Sequence, residues 1–513
     1  MQGTPKILKN AGILYLRMFV SLFIGLFSTR IVLIALGVDE YGLFNIVAGV
    51  IGVLGIVNTA MVSTTQRFIS FVKGSNDQTK LKHYFGSSLF IHFMLGLFVF
   101  IILVAVGPYL INNFLVIPID KLSDALYLYY FVTASATVAI MVTPYDGCIL
   151  ANEDFSFIAI TELFKSSSRL ISALIVSFYF SNKLLMFGLL ISSSNIIIEF
   201  SKLVFSIKNY NESQFSISTI RRSIVLEMVS FAAWNLFASV TSLAKHQGVN
   251  ILINLFFGVA ANAALAISKQ IVGLIGSFVS VITRSVNPQL TQAEGGGKRE
   301  RMLQLSGLMT KLSFIVLVLL TGPIIFEAKF LLSIWLKDVP HNSDLLVIAA
   351  VLGLLTVSLS TGLEAAVFAI GKIRTYQLVA GIITVSSILF TYFLFKLNFP
   401  SYYAYISIMF SQLLLHVFQL FFLSRTANLT VKNYIYNVDF SLLKLLGISL
   451  AISYIITLVF DQGFFRLLIV SCSNTAFVLI SSYLIVLDKN EKETAKKIVI
   501  QIKGKLFKSH RTY

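Results

Sequence analysis

Charge is scarce in this chain. Only 12% of its 513 residues are charged, where a soluble domain carries about 25%, so most of the sequence is unsuited to water. Cysteine is scarcer still. Cys148 and Cys472 both fall inside apolar runs, which excludes a disulfide framework and a cysteine-based metal site. The six histidines, His83, His92, His246, His341, His416 and His510, have no ligand-like spacing. There is no Walker-type lysine loop, no GxSxG, no HExxH and no CxxC, so metal catalysis and ATP hydrolysis find no support. No cofactor is expected. If work is done, an ion gradient, a membrane potential or a downhill substrate has to drive it. A cleavable leader is not expected either: the first apolar run starts near Gly12, runs long and lacks a small-residue cleavage site.

What is abundant is apolar length. Hydrophobic residues make up 57% of the chain, in runs of roughly 20 residues, each enough to span a bilayer. The pattern predicts an all-α integral membrane protein with about fourteen transmembrane helices: 12–36, 43–66, 84–107, 122–146, 157–180 and 184–206, then 228–257, 263–288, 304–326, 344–369, 374–396 and 401–423, then 440–460 and 464–487. This gives a six-helix bundle over 1–207, a cytoplasmic linker at 208–222, a second six-helix bundle over 223–425, two extra helices over 426–487 and a basic cytoplasmic tail over 488–513. The net charge of +17 does not call for nucleic acid. Lys and Arg concentrate in alternate loops (Lys73, Lys80, Lys82; Lys208, Arg221, Arg222; Lys298, Arg299, Arg301; Lys372, Arg374) and in the tail, which predicts that these loops and both termini are cytoplasmic. In the tail, Ile498, Ile502 and Leu506 allow two readings, a solvated extension or a helix lying on anionic lipid. Exterior loops are short, which speaks against a membrane enzyme.

The chain is written twice. Gly37, Val38, Ile46, Gly52, Gly55 and Gly74 recur without a gap as Gly258, Val259, Ile267, Gly273, Gly276 and Gly295. Gly107-Pro108 closes the third span and Gly322-Pro323 the ninth; Asn152 matches Gly371, and Phe157 matches Tyr376. Each half has an even number of spans, so the two bundles form a parallel repeat, with a substrate path expected between similar halves. The last two helices have no partner in the repeat and read as an addition outside the core.

Polar residues inside the spans are the candidates for function. Asn45, Gly49, Gly52, Thr59 and Ser63 share one face of about 80° on a helical wheel. Asn262, Lys269, Gly273, Gly276, Ser280 and Thr283 do likewise in the copy. Close helix packing explains the glycines; it does not explain Lys269, whereas a cavity-lining face explains both. Deep charges are expensive in lipid and point to function: Arg30, Lys245 and Lys269 are placed at a lumen. Arg17 and Arg284 lie near the cytoplasmic face, where snorkelling accounts for them. Arg169 and Glu199 are open to pairing with each other or with other helices. Glu364 and Asp146 read either as proton or cation coupling sites or as structural pairs, and Asp39-Glu40 as a solvated outer loop. The deep set is mostly cationic, which suits an anionic substrate such as a pyrophosphate.

An arginine, an apolar run and then G-x-x-x-Y-G-[LV]-[FY] stand here as Arg30 and Gly37-Val38-Asp39-Glu40-Tyr41-Gly42-Leu43-Phe44. With the layout of six, six and two helices, the whole chain resembles the Wzx-type O-antigen flippases, the polysaccharide branch of the multidrug/oligosaccharidyl-lipid/polysaccharide (MOP) exporter superfamily. The resemblance implies a protein of the bacterial cytoplasmic membrane that moves an undecaprenyl-pyrophosphate-linked oligosaccharide, an O-antigen or capsule repeat unit, to the periplasmic leaflet. It implies alternating access through a cationic lumen, with membrane lipids and other polysaccharide-assembly proteins as partners. Only Arg30 carries over from that pattern; Lys245 and Lys269 rest on their own depth. A small-molecule (multidrug) antiporter of the same fold is the alternative. A lipid II flippase stays within the first fold, and a glycan polymerase would need a large outer loop that the sequence lacks.

Overall fold

With no water in the bilayer core, every backbone N–H and C=O in these apolar runs has to be satisfied within its own segment, and helices do this. The computed structural model describes residues 4–52, 54–115, 117–336, 338–493 and 496, and contains no strand among them. The tail positions Ile498, Ile502 and Leu506 lie outside the described residues. Eleven helical stretches are long and apolar enough to cross a membrane, which makes this a multi-pass membrane protein. Among the described residues, Arg222–Gly295 holds two expected spans, while the second expected span begins at the end of the Lys6–Gly49 stretch and continues through the separate helix Leu54–Gly74. Phe155–Tyr179 carries Glu162, Lys165 and Arg169, too much charge for that count, and completes the fourteen.

The paired spans turn on one residue each. α1 (Thr4–Gly52) changes direction at Gly37, φ 77° and ψ 172°. α7 (Arg222–Gly295) does so at Gly258, φ 78° and ψ −172°. A side chain is strained at such angles, so these repeated glycines are corners. No loop forms: Asp39 and Glu40 are helical, and Glu40 accepts a hydrogen bond from Lys121 Nζ at 2.7 Å instead of standing free in water.

The chain forms two compact units, residues 10–236 with 295–297, and residues 1–9, 237–294 and 298–513. The first holds α2 (Leu54–Gly74), α3 (Gln78–Asn113), α4 (Leu122–Asn152), α5 (Phe155–Tyr179) and α6 (Lys183–Asn209). Its core joins Val32, Leu36, Val47, Leu128, Tyr129 and Phe187. Asp77 caps α3 by accepting the Lys80 N–H at 2.9 Å, which holds its carboxyl below the usual range. The segment expected as a linker is strapped to this unit. Glu212 is buried and accepts from Asn152 Nδ2 at 3.2 Å. The Thr219 carbonyl lies 2.8 Å from His83 Nδ1, and the Arg221 N–H donates to Ser87 Oγ at 3.2 Å.

The second unit holds the rest of α7, α8 (Arg299–Trp335), α9 (Ser343–Leu359), α10 (Thr361–Ile370), α11 (Ile373–Lys396) and α12 (Tyr403–Ala427). The last two spans follow: α13 (Val431–Tyr434) leads through a wide π turn (Ile435–Asp439) into α14 (Phe440–Val459), and α15 (Phe464–Ser481) ends in a second such turn. Val249, Ile253, Leu265, Leu346 and Tyr405 centre its core. The expected tenth span is two helices, α9 and α10, interrupted for one residue at Ser360. Exposed Phe98, Ile101, Leu255 and Phe393 have no place in water and face hydrocarbon. The repeat needs one adjustment: the left-handed residue after α4 is Glu153 (φ 62°), and after α10 it is Gly371 (φ 86°). Glu153, not Asn152, is therefore the structural match of Gly371.

Candidate functional site

The first unit holds a half-open cavity of ≈ 630 Å³. Its wall comes from both arms of α1 (Gly25, Ser28, Thr29; Asn45, Gly49), from α5 and from α6 (Asn195). α5 supplies Lys165 and Arg169, one turn apart and so on one face. No carboxylate lines this cavity among the described residues. Arg169 makes no hydrogen bond or ion pair among the described residues, and Lys165 lies within electrostatic reach of Glu199. Glu199 pairs with Lys202 at 2.9 Å rather than with Arg169, and Glu162 is paired with Arg17, so Arg17 has an ion-pair partner in place of a snorkelling position. Of the positions picked from sequence, Asn45 lies in this cavity, with its Nδ2 donating to the Tyr41 carbonyl at 2.8 Å. Arg30 is exposed beside it, outside its lining and without a partner among the described residues. Lys165 escaped the sequence reading. The signal was there in Glu162, Lys165, Ser166 and Arg169, a polar stripe at helical spacing in an otherwise apolar span.

The second unit holds a half-open cavity of ≈ 380 Å³ between α7 and α9 to α12. Lys245, His246, Glu364, Tyr376 and Gln412 are among its lining residues. Lys245 and Glu364 feel each other's charge without forming a direct ion pair. Glu364 retains exposed surface and is one of the residues lining this cavity. Lys269 adjoins this wall, donating to Asn250 Oδ1 at 2.6 Å and to the His246 carbonyl at 3.5 Å. Arg284 has a partner of its own. Asp146 is held by Lys202 at 3.0 Å in the first unit.

The glycines of the two stripes do not pack. A Cβ at Gly49, Gly52, Gly55, Gly273 or Gly276 would meet nothing within 4 Å. Thr59 and Ser280 are exposed and bond only to their own helices, to the Gly55 and Ser277 carbonyls. Asn262 is half-buried, and its Oδ1 is enclosed without a partner. The glycines thus meet no neighbour in either unit, while Ser63 of the first stripe accepts from Asn235 Nδ2 at 2.8 Å.

No family model matches the sequence, and no curated protein matches it. Solved structures do. A mutant MATE superposes with a TM-score of 0.71 at 11% identity, over 84% of this chain and 97% of that one. A MOP superfamily transporter from Pyrococcus furiosus, described by the reverse polarity of its binding pocket, gives 0.68 at 12%, over 84% and 97%. An outward-facing multidrug resistance MATE family transporter gives 0.63 at 12%, over 83% and 96%. At such identities the likeness shows the fold: this chain has the architecture of MATE transporters of the MOP superfamily.

Proposed function

We propose that this protein is a transporter, not an enzyme, and that it moves a polyprenyl-pyrophosphate-linked oligosaccharide across a bacterial cytoplasmic membrane by alternating access, with both termini cytoplasmic. The observation that carries the reading is the cavity of the first unit, lined by Lys165 and Arg169 and, among the described residues, by no carboxylate. Two cations on one wall, facing Asn45, Asn195, Ser28 and Thr29, offer charge-assisted bonds to phosphate or acidic sugar and neutral donors to hydroxyls. A cationic drug would be repelled there. The test is a deletion strain. Loss of surface polysaccharide, with lipid-linked single repeat units accumulating on the cytoplasmic side, supports the reading; unchanged polysaccharide rejects it. Arg169→Ala in a complemented strain should reduce surface glycan while leaving the protein inserted.

One observation favours a second reading. Glu364 lines a cavity with Lys245, and an ion-coupled small-molecule antiporter needs such a carboxylate. Unchanged glycan together with altered drug tolerance, abolished by Glu364→Gln, would put the antiporter first.

A further inference from the structure

The two helices at the end of the chain reach the cavity of the second unit without lining it. Glu364 stands in the first turn of α10, just past the interruption at Ser360. Two hydrogen-bonded relays end on that interruption. In the first, Tyr434 O–H donates to Thr310 Oγ1 at 3.1 Å, and the same oxygen accepts the Gly362 N–H at 3.1 Å. That N–H is one of the donors a helix start leaves without an internal partner. In the second, His416 Nε2 lies 3.0 Å from Asp439 Oδ2, and His416 Nδ1 lies 3.3 Å from Ser360 Oγ. With Nε2–H donating to the carboxylate, Nδ1 of the neutral ring accepts the serine O–H. Thr310, Ser360, Gly362, His416 and Tyr434 are all buried, and Asp439 nearly so. Gly362 packs so closely on α8 that a Cβ would come within 1.9 Å of the Ser306 carbonyl oxygen.

Packing alone does not ask for this chemistry. A buried His–Asp pair costs desolvation that apolar side chains of the same volume would avoid, and such groups are kept where one geometry has to be specified. Here they specify the first turn of α10. We infer that the C-terminal helix pair is the positioning element for Glu364: Tyr434 and Asp439 act through Thr310 and His416 on the Ser360–Gly362 break, and so fix where the carboxylate stands in the cavity. The inference rests on the reading of that cavity as part of the transport path.

The test reads Glu364 itself. The full chain in detergent is treated with a hydrophobic carbodiimide, and the Glu364 adduct is followed by mass spectrometry, normalised to maleimide labelling of exposed Cys472. Tyr434→Phe, Thr310→Val and Asp439→Asn should each change the Glu364 rate by at least about threefold, the scale of one lost buried hydrogen bond. Thr310→Ser, which keeps the oxygen, should restore the wild-type rate; a packing role would leave serine as defective as valine. Unchanged labelling in folded Tyr434→Phe and Asp439→Asn proteins overturns the inference. If Asp439→Asn does not fold, Tyr434→Phe decides, because it removes a single oxygen. The readout does not depend on transport, so glycan export that is indifferent to Glu364 would reject the transport reading and leave the positioning result intact.

Discussion

Asp146 and Glu364 occupy the same place in the two copies of the repeat. Each stands seven residues before the left-handed cap of its helix, Glu153 in one unit and Gly371 in the other. Their surroundings differ. Asp146 is closed off by Lys202, which also holds Glu199. Glu364 has no hydrogen-bond or ion-pair partner among the described residues and lines a cavity with Lys245. Duplication has kept the backbone, down to matching φ at Gly37 and Gly258, while the two carboxylates have diverged. In the first unit the acid is neutralised and the cavity is left to cations; in the second the acid stays available.

The largest effect should come from exchanging these carboxylates for amides. Glu364→Gln should strongly reduce transport, read as surface glycan or as resistance, and leave thermal unfolding in detergent nearly unchanged. Asp146→Asn should do the reverse, preserving transport and costing about 1–3 kcal/mol of stability, because it leaves Lys202 with one carboxylate instead of two. Equal transport loss in both variants would mean that the asymmetry has no functional content.

The same contrast runs through the two Gly-Pro bends. A proline inside a helix frees a carbonyl one turn back. In α3 that turn is served from within the bundle: Tyr129 O–H donates to the Leu103 carbonyl at 2.9 Å, over Gly107. In α8 the donor is Asn474 of α15, at 3.2 Å from the Val318 carbonyl and 3.1 Å from that of Leu319, over Gly322. Ser449 orients this amide by donating to its Oδ1 at 2.5 Å. Arg466 adds a two-pronged pair with the fully buried Glu327, at 2.7 and 3.0 Å. The helix pair that reads from sequence as an addition outside the core is therefore fastened to the helix of the ninth span at these two points and again where Tyr434 donates to Thr310. Asn474→Ala leaves buried carbonyls unpaired and should cost about 1–3 kcal/mol; Tyr129→Phe, which loses one bond, should cost about 1 kcal/mol. Thermal unfolding of both variants in one detergent compares them, and a larger loss for Tyr129→Phe would reverse the assignment.

The sequence made the spans and the parallel repeat with its matched glycines legible, because length, apolar content and residue identity at a constant offset are local properties. The cavities were legible only in part. Asn45, Lys245 and Glu364 announce themselves as polar groups in apolar runs, and each lines a cavity. Lys165 does not, because on this polar face of α5 the sequence reading singles out only Arg169, and that as a pairing partner. Nor does any spacing reveal that Asp146 meets Lys202, or that Asn474 meets a bend some 150 residues earlier in the chain. Those pairings depend on how each helix is rotated against its neighbours, and periodicity fixes only which residues share a face.

The smallest expected difference is the one between the stripes themselves. Thr59 and Ser280 are repeat-equivalent, both exposed, and each bonded only to its own helix. The glycines beside them meet nothing within 4 Å. Single cysteines at the two positions, in a chain whose Cys472 has been replaced, should react with a small water-soluble thiol reagent at rates within about tenfold of each other, a spread of about 1.4 kcal/mol. Rapid reaction at both keeps the stripes as water-lined faces shared by the two halves, and confines the divergence to the carboxylates and the cations of α5. Reaction at only one would carry the asymmetry into the stripes. Silence at both would mean that the open space beside the glycines is filled by lipid rather than water, and would remove these residues from the transport path.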